Sequence, residues 1–159
     1  MWGMSNDLYH KIFTPYLSDG SDTIECTLDE FQAGYDKFLG IDVLLSFKNG
    51  MTLTMQEKFL TTRYDTVTVE YYNNPRTGDT GDWFDLKAQL YFVGYWDKNK
   101  STKGFHKWIL LDWVRVVAAT QKELIPWQEQ GNNHSAARAS FKFVGFHAIP
   151  DSCIIAKKF

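Results

Sequence analysis

The stretch Gly40 to Phe59, GIDVLLSFKNGMTLTMQEKF, constrains the fold of this chain most, because apolar residues alternate on both sides of a turn signal. Ile41, Val43, Leu45 and Phe47 share one parity of the first strand, and Met51, Leu53 and Met55 share one parity of the second. Side chains directly opposite in an antiparallel pair project to the same face, so the two sets coincide when Phe47 faces Met51. Lys48, Asn49 and Gly50 then form a three-residue loop with Gly50 last, in the left-handed position. This register sets Asp42 opposite Gln56, with Lys58 on the same face. The competing register, a two-residue Asn49-Gly50 turn, sets Asp42 opposite Glu57 and splits the apolar stripes between faces, exchanging core for solvent.

An acid on one strand beside a Q-x-K on the next suits the cleavage of a phosphodiester. That reaction needs a hard cation against the scissile phosphate and an activated water in line with the leaving oxygen. Asp42 offers an anionic oxygen to Mg²⁺ or Mn²⁺, Gln56 a neutral carbonyl oxygen, and Lys58 a charge that orients the water or stabilises the transition state. In these residues the chain resembles the PD-(D/E)xK nuclease superfamily, which pairs an Asp on one strand with an acid-x-Lys on the next. Asp42 matches the first position and Lys58 the last, while Ile41 stands in place of the proline and Gln56 in place of the usual acid. The second departure removes a charge from the metal site, so a degenerate, non-catalytic member is an alternative outcome.

The similar region covers roughly residues 26 to 112. After a third strand at Asp65 to Tyr72, the segment Gly81 to Trp96, GDWFDLKAQLYFVGYW, is similar to the strand, helical turn and strand that continue such cores in small phage-type and restriction-type nucleases. The resemblance implies an α/β fold with a central mixed β-sheet flanked by helices, a restriction-endonuclease-like core. It also implies a metal-dependent nuclease acting on DNA or RNA.

Each candidate residue also has a plain structural reading. Asp42 and Lys58 can be a cross-strand surface ion pair, worth a few tenths of a kcal/mol. Glu30 lies one helix upstream, where relatives of the core sometimes place another acid facing the metal, yet Thr27 and Glu30 also form a T-x-x-E capping box. Glu70 adds a possible metal carboxylate from the third strand, where exposed Glu is commonplace. Glu57 matters only in the competing register.

With 159 residues, 44% hydrophobic and 16% aromatic, the chain reads as a single domain spanning residues 1–159 with one filled core. Seventeen basic and 19 acidic residues give a net charge of −2, so any nucleic-acid contact comes from a local patch. The best such patch is Lys98, Lys100, Lys103, His106 and Lys107, interleaved with Trp96, Phe105 and Trp108, although a lysine-rich loop is more often simply solvated. Of these, Lys100, Lys103 and Lys107 are the expected phosphate contacts. Trp83, Tyr91, Tyr95, Trp96, Trp108 and Trp113 supply either a thick core or a stacking surface, and the second option leaves a non-catalytic binding or interaction module as the rival function.

Two cysteines, Cys26 and Cys153, form no zinc cluster and suggest a reduced compartment. The N-terminus carries no basic region followed by an apolar run and no stretch approaches a membrane span, so a soluble, cytoplasmic protein with no membrane partner is expected. His10, His106, His134 and His147 are widely spaced, and there is no G-x-S-x-G and no Walker or Rossmann glycine loop. The sequence is silent on oligomeric state.

Along the chain, helices are expected at Asp7 to Leu17, from Thr27 to about Phe38, and at Val114 to Leu124, closed by Pro126. Strands are expected from Met51 to about Thr61 and at Asp65 to Tyr72, Leu90 to Trp96, Phe105 to Leu111 and Ser140 to His147, with a helical turn around Phe84 to Ala88. Asn73 to Asp82 reads as a loop, Glu129 to Ala137 as loose polar chain, and Ile149 to Phe159 as strand or helix.

Overall fold

A computed structural model describes residues 24–27, 40–47, 50–61, 64–96, 105–131 and 139–159, the first of these segments as backbone only. Ten strands run through these residues: β1 (Ile24–Thr27), β2 (Val43–Phe47), β3 (Thr52–Leu60), β4 (Thr66–Asn74), β5 (Asp79–Thr80), β6 (Leu90–Trp96), β7 (Phe105–Asp112), β8 (Gln128–Gly131), β9 (Ser140–Gly145) and β10 (Ile154–Lys158). Two helices accompany them, α1 (Asp82–Asp85) and α2 (Trp113–Gln121). The architecture is α/β with a mixed sheet, mostly strands and with few helices. No helix among the described residues is long and apolar enough to cross a membrane.

The β2–β3 hairpin adopts the register that the apolar parity requires. Val43 lies opposite Met55, Leu45 opposite Leu53 and Ser46 opposite Thr52. Phe47 N–H donates to Met51 O at 2.9 Å, and Gly50 N–H donates back to Phe47 O at 2.9 Å. Gly50 has φ 84°, the left-handed conformation that a residue without Cβ adopts freely.

The first sheet has the order β1-β2-β3-β6-β7-β10, mixed because β3 runs parallel to β6 while its other pairs are antiparallel. A second, four-stranded antiparallel sheet has the order β5-β4-β9-β8. This corrects the expectation of one central sheet. The Asp65 to Tyr72 strand does form, as β4, but it pairs with β9 rather than continuing the hairpin sheet. Its alternation buries Val67 and Val69 against a core, and that alternation is the same whichever sheet supplies the neighbours.

The first hydrophobic cluster lies between the sheets: Val67, Val69 and Val144 meet Tyr91, Val93, Tyr95, Ile109 and Leu111. Helix α2 adds Trp113, Val116 and Ala119, and Asp112 caps it by accepting from Arg115 N–H at 3.1 Å. The second cluster covers the other face of the six-stranded sheet, with Val43, Leu45, Phe47, Met55, Phe92 and Leu110. Strand β6 is therefore buried on both faces, which accounts for its nearly continuous apolar run.

Several local expectations need adjustment. The helical turn begins earlier than Phe84, at Asp82, with Leu86 N–H donating to Asp82 O at 2.8 Å. The loop at Asn73 to Asp82 holds the end of β4 and the short β5. Of the stretch Glu129 to Ala137, expected as loose chain, Glu129 to Gly131 belong to the exposed edge strand Gln128–Gly131, tied to β9 through Lys142 and Glu129 at 3.3 Å, and residues 132–137 lie outside the described residues. Residues 149–159 resolve into a 3-10 turn at Asp151–Cys153 and strand β10. The expected helix at Asp7 to Leu17, and the helix after Thr27 except for Thr27 itself, lie outside the described residues; Thr27 is the last residue of β1.

Candidate functional site

On β3, odd and even residues face different clusters. Met55 and Phe59 pack with the second, whereas Gln56 and Lys58 pair in register with Tyr91 and Val93, whose side chains belong to the first. Gln56 and Lys58 thus face the space between the sheets, toward β4.

Asp42 sits one residue before β2. Its N–H donates to Met55 O at 3.0 Å, and its Oδ2 accepts from Glu57 N–H at 2.8 Å. Past the end of β2 the Glu57 amide has lost the backbone acceptor that a longer strand would offer, and the carboxylate takes that place. Asp42 therefore has a structural duty at the hairpin's open end. It faces Glu57 through backbone and Gln56 through strand register.

Gln56 is only 7% exposed, and its Oε1 is buried without a hydrogen-bond partner. A buried carbonyl oxygen left unpaired costs about 1–3 kcal/mol, so this amide stands out from the otherwise apolar burial of β3. The Lys58 ammonium crosses to the second sheet, donating to Glu70 Oε1 at 3.1 Å and lying 5.9 Å from the Phe141 ring centroid. Glu70, expected as a possible metal carboxylate, is thus the partner of Lys58.

Tyr91 lies at the centre of these groups. It is fully buried and its hydroxyl donates to Thr68 O at 2.8 Å. Burial pushes the Tyr91 hydroxyl well above its ordinary value of 10.0, and the carboxylates of Asp82, Glu70 and Asp42 each raise it further. Three acids from three separate elements are therefore close enough to act electrostatically on one phenol. Asp82 was not foreseen from the sequence. The signal for it was an acid directly after Gly81, at the end of a turn-rich stretch that follows the Glu70 strand.

Gly81 explains how Asp82 comes to be there. A Cβ at Gly81 would lie 2.6 Å from Glu70 O and 2.8 Å from Glu70 C, so only glycine lets the chain pass this close to β4. Gly81 N–H also donates to Tyr71 O at 3.0 Å.

Asp42, Gln56, Glu70 and Asp82 are hard oxygen donors of the kind Mg²⁺ and Mn²⁺ take. Among the described residues, however, no three acidic, histidine or cysteine side chains already form a metal-holding group. A cation here would use Asp42 and the Gln56 carbonyl first, with Glu70 available only by parting from Lys58. Glu30 lies outside the described residues.

The expected basic patch is described only in part, since Lys98, Lys100 and Lys103 lie outside the described residues. Lys107 donates to both Asp65 carboxylate oxygens, at 2.8 and 2.9 Å. Phe105 and Trp108, the aromatics interleaved with these lysines, are buried in the second cluster, and Trp113 is buried in the first. Of the six aromatics weighed for a stacking surface, Tyr91, Tyr95, Trp108 and Trp113 are buried, and Trp83 and Trp96 pack partly buried against the clusters. Comparison of the chain with protein-family models, with curated proteins and with solved structures finds no match in any of the three.

Proposed function

We propose that this protein is a metal-dependent phosphodiesterase that hydrolyses DNA or RNA, built on a restriction-endonuclease-like core as a divergent, Q-x-K member of the PD-(D/E)xK nucleases. One observation carries the reading: a buried, unpartnered Gln56 carbonyl oxygen, facing the same intersheet space as Lys58 and paired in register with a tyrosine that feels three carboxylates. Burying a polar acceptor without a partner is unfavourable unless something else supplies the partner. A hard cation shared with Asp42 does so.

When bound, the Mg²⁺ or Mn²⁺ supplies charge neutralisation at the phosphate and a more acidic water. Asp42 and Gln56 would hold it from facing strands of one hairpin. Lys58 is the group that meets the developing negative charge on the phosphate, and Glu70 pairs with its ammonium until then. Tyr91, whose hydroxyl donates to Thr68 O, ties β6 to β4 beside these groups.

The test is incubation with single- and double-stranded DNA and RNA in Mg²⁺ or Mn²⁺, with Asp42→Ala and Lys58→Ala alongside. Cutting that needs the metal and is lost in both variants is expected. Binding that survives both variants with no cutting on any substrate would favour the alternative, a non-catalytic nucleic-acid-binding or protein-interaction module.

A further inference from the structure

Helix α1 links the two sheets beside the candidate site. At its start, Gly81 lies so close to β4 that a Cβ there would fall 2.6 Å from Glu70 O and 2.9 Å from Glu70 Cβ. One turn later Leu86 N–H donates to Asp82 O, and Leu86 lies against Gly40, where a Cβ would meet Leu86 Cδ1 at 2.8 Å and Leu86 Cα at 3.2 Å. Gly40 also has φ 56°, so the close approach and the backbone conformation both call for glycine. Asp42 follows two residues on. A helical turn rises about 5.4 Å, so α1 is a short strut with Glu70 at one end and the approach to Asp42 at the other.

Asp82 takes the first position of this strut and is half-buried, whereas Asp85 is exposed and its carboxylate accepts from Thr80 Oγ1 at 3.0 Å. Leu86 and Tyr91 belong to one cluster with Ile41 packed against it, which brings α1, β6 and the approach to β2 together. Electrostatics agree with that placement: of the three carboxylates that raise the Tyr91 hydroxyl, Asp82 acts most strongly, and Asp42 is also felt. The Gln56 amide, 7% exposed and with its oxygen unpartnered, faces the same space from the position paired with Tyr91.

Charge decides what this space lacks. Lys58 and Glu70 neutralise each other, so Asp42 alone would leave half the charge of a divalent cation uncompensated. Mg²⁺ is ordinarily held by one or two carboxylates, with water and substrate phosphate completing its shell, and the number of ligand charges tunes cation affinity. We propose that Asp82 is the second anionic ligand, so that the cation sits between Asp42, Gln56 and Asp82 while Glu70 stays with Lys58. The proposal rests on the reading of Asp42 and Gln56 as a cation site, and it adds a ligand from an element outside the Q-x-K hairpin. A first-turn acid also complements a helix N-terminus, and α1 has no side-chain cap, which is the simpler role for Asp82. Asp85 would fill that role equally and so provides the control.

The test is a titration of the full chain with Mn²⁺ alone, followed by the EPR signal of the free ion, with no nucleic acid present. Asp82→Asn is expected to weaken Mn²⁺ binding by about 10- to 100-fold, and Asp85→Asn to leave it at the wild-type value. In chelator the two variants should melt close to one another, since each loses one first-turn acid. Mn²⁺ should then raise the melting temperature of wild type and Asp85→Asn and hardly move Asp82→Asn. Returning the carboxylate from the neighbouring strand, in the double variant Asp82→Asn with Gln56→Glu, is expected to recover Mn²⁺ affinity. Where the Asn variant does not fold, Asp82→Ser, which keeps a small polar group without the charge, gives the same reading. Three results would overturn the proposal: wild-type affinity in Asp82→Asn, an equal loss in Asp85→Asn, or no saturable Mn²⁺ binding by wild type. Cleavage is scored separately. Asp82-dependent Mn²⁺ binding without cutting of any nucleic acid sinks only the phosphodiesterase reading, and Mn²⁺-dependent cutting with unchanged affinity in Asp82→Asn sinks only the assignment of Asp82.

Discussion

Strand β3 has two faces with opposite chemistry at similar depth. Met55 is fully buried in an apolar cluster with Val43, Leu45 and Phe92, while its neighbour Gln56, 7% exposed, carries a buried oxygen with no partner. Lys58, two residues on, spans from one sheet to the other to reach Glu70. Removal from water thus stabilises one face outright, and on the other it raises the energy of a polar group. The difference separates residues kept for packing from residues kept for something else, and each side can be disturbed without the other.

The largest expected effect is on the apolar side. Met55→Ala should cost about 2–5 kcal/mol in urea unfolding through the cavity it leaves, while activity per folded molecule stays near wild type. A cost below about 1 kcal/mol would show that the second cluster is not closely packed around this residue. On the polar side, Lys58→Ala should lower metal-dependent cleavage by about 10²- to 10³-fold yet change stability by less than about 1 kcal/mol, because a half-exposed ion pair contributes little. If stability fell by several kcal/mol and cleavage followed the folded fraction, Lys58 would be a structural tie.

A smaller effect sharpens the contrast further. Gln56→Leu removes the unpaired oxygen and should stabilise the metal-free protein by about 1–2 kcal/mol while abolishing stabilisation by Mn²⁺ in thermal melts. A destabilised variant would mean that the amide is already satisfied and needs no cation. The smallest effect concerns Tyr91, whose folded-state pKa lies well above 10.0 through burial and three nearby carboxylates. Between the unfolded value and the folded one, the native state holds a proton that the unfolded chain has lost. Its contribution is therefore complete below about pH 10 and is lost as the pH rises further, at up to about 1.4 kcal/mol per pH unit. Tyr91→Phe should flatten that alkaline slope in pH-dependent denaturation, with the raised Tyr95 accounting for part of what remains.

The hairpin was legible because two independent stripes had to coincide. Ile41 to Phe47 and Met51 to Met55 admit one register that keeps both on one face, and Gly50 supplied the turn. The second sheet was not legible, because DTVTVEYY states that one face is buried and says nothing about which strand lies alongside. Gln128–Gly131 escaped for a different reason: an edge strand with both faces in water needs no apolar period. At the site, the register that sets Asp42 opposite Gln56 could be read from local pairing alone, whereas the place of Asp82 could not. Its approach to Tyr91 depends on Gly81 passing against β4, a contact between segments whose spacing in the chain carries no signal.

The parallel pairing of β3 with β6 has a consequence for assembly. Met55 and Leu90 are ladder partners, although β4, β5 and α1 all intervene in the chain. The β2–β3 hairpin closes a short loop and can form early, but the Gln56–Tyr91 contact must wait for a long loop to close. Asp42 and Gln56 can meet in a half-folded chain, yet Tyr91, and the β4 that its hydroxyl bonds, arrive only with the long-range pairing. A nascent or partly unfolded molecule would carry the motif without the environment around it, so any activity of this site is coupled to completion of the native fold.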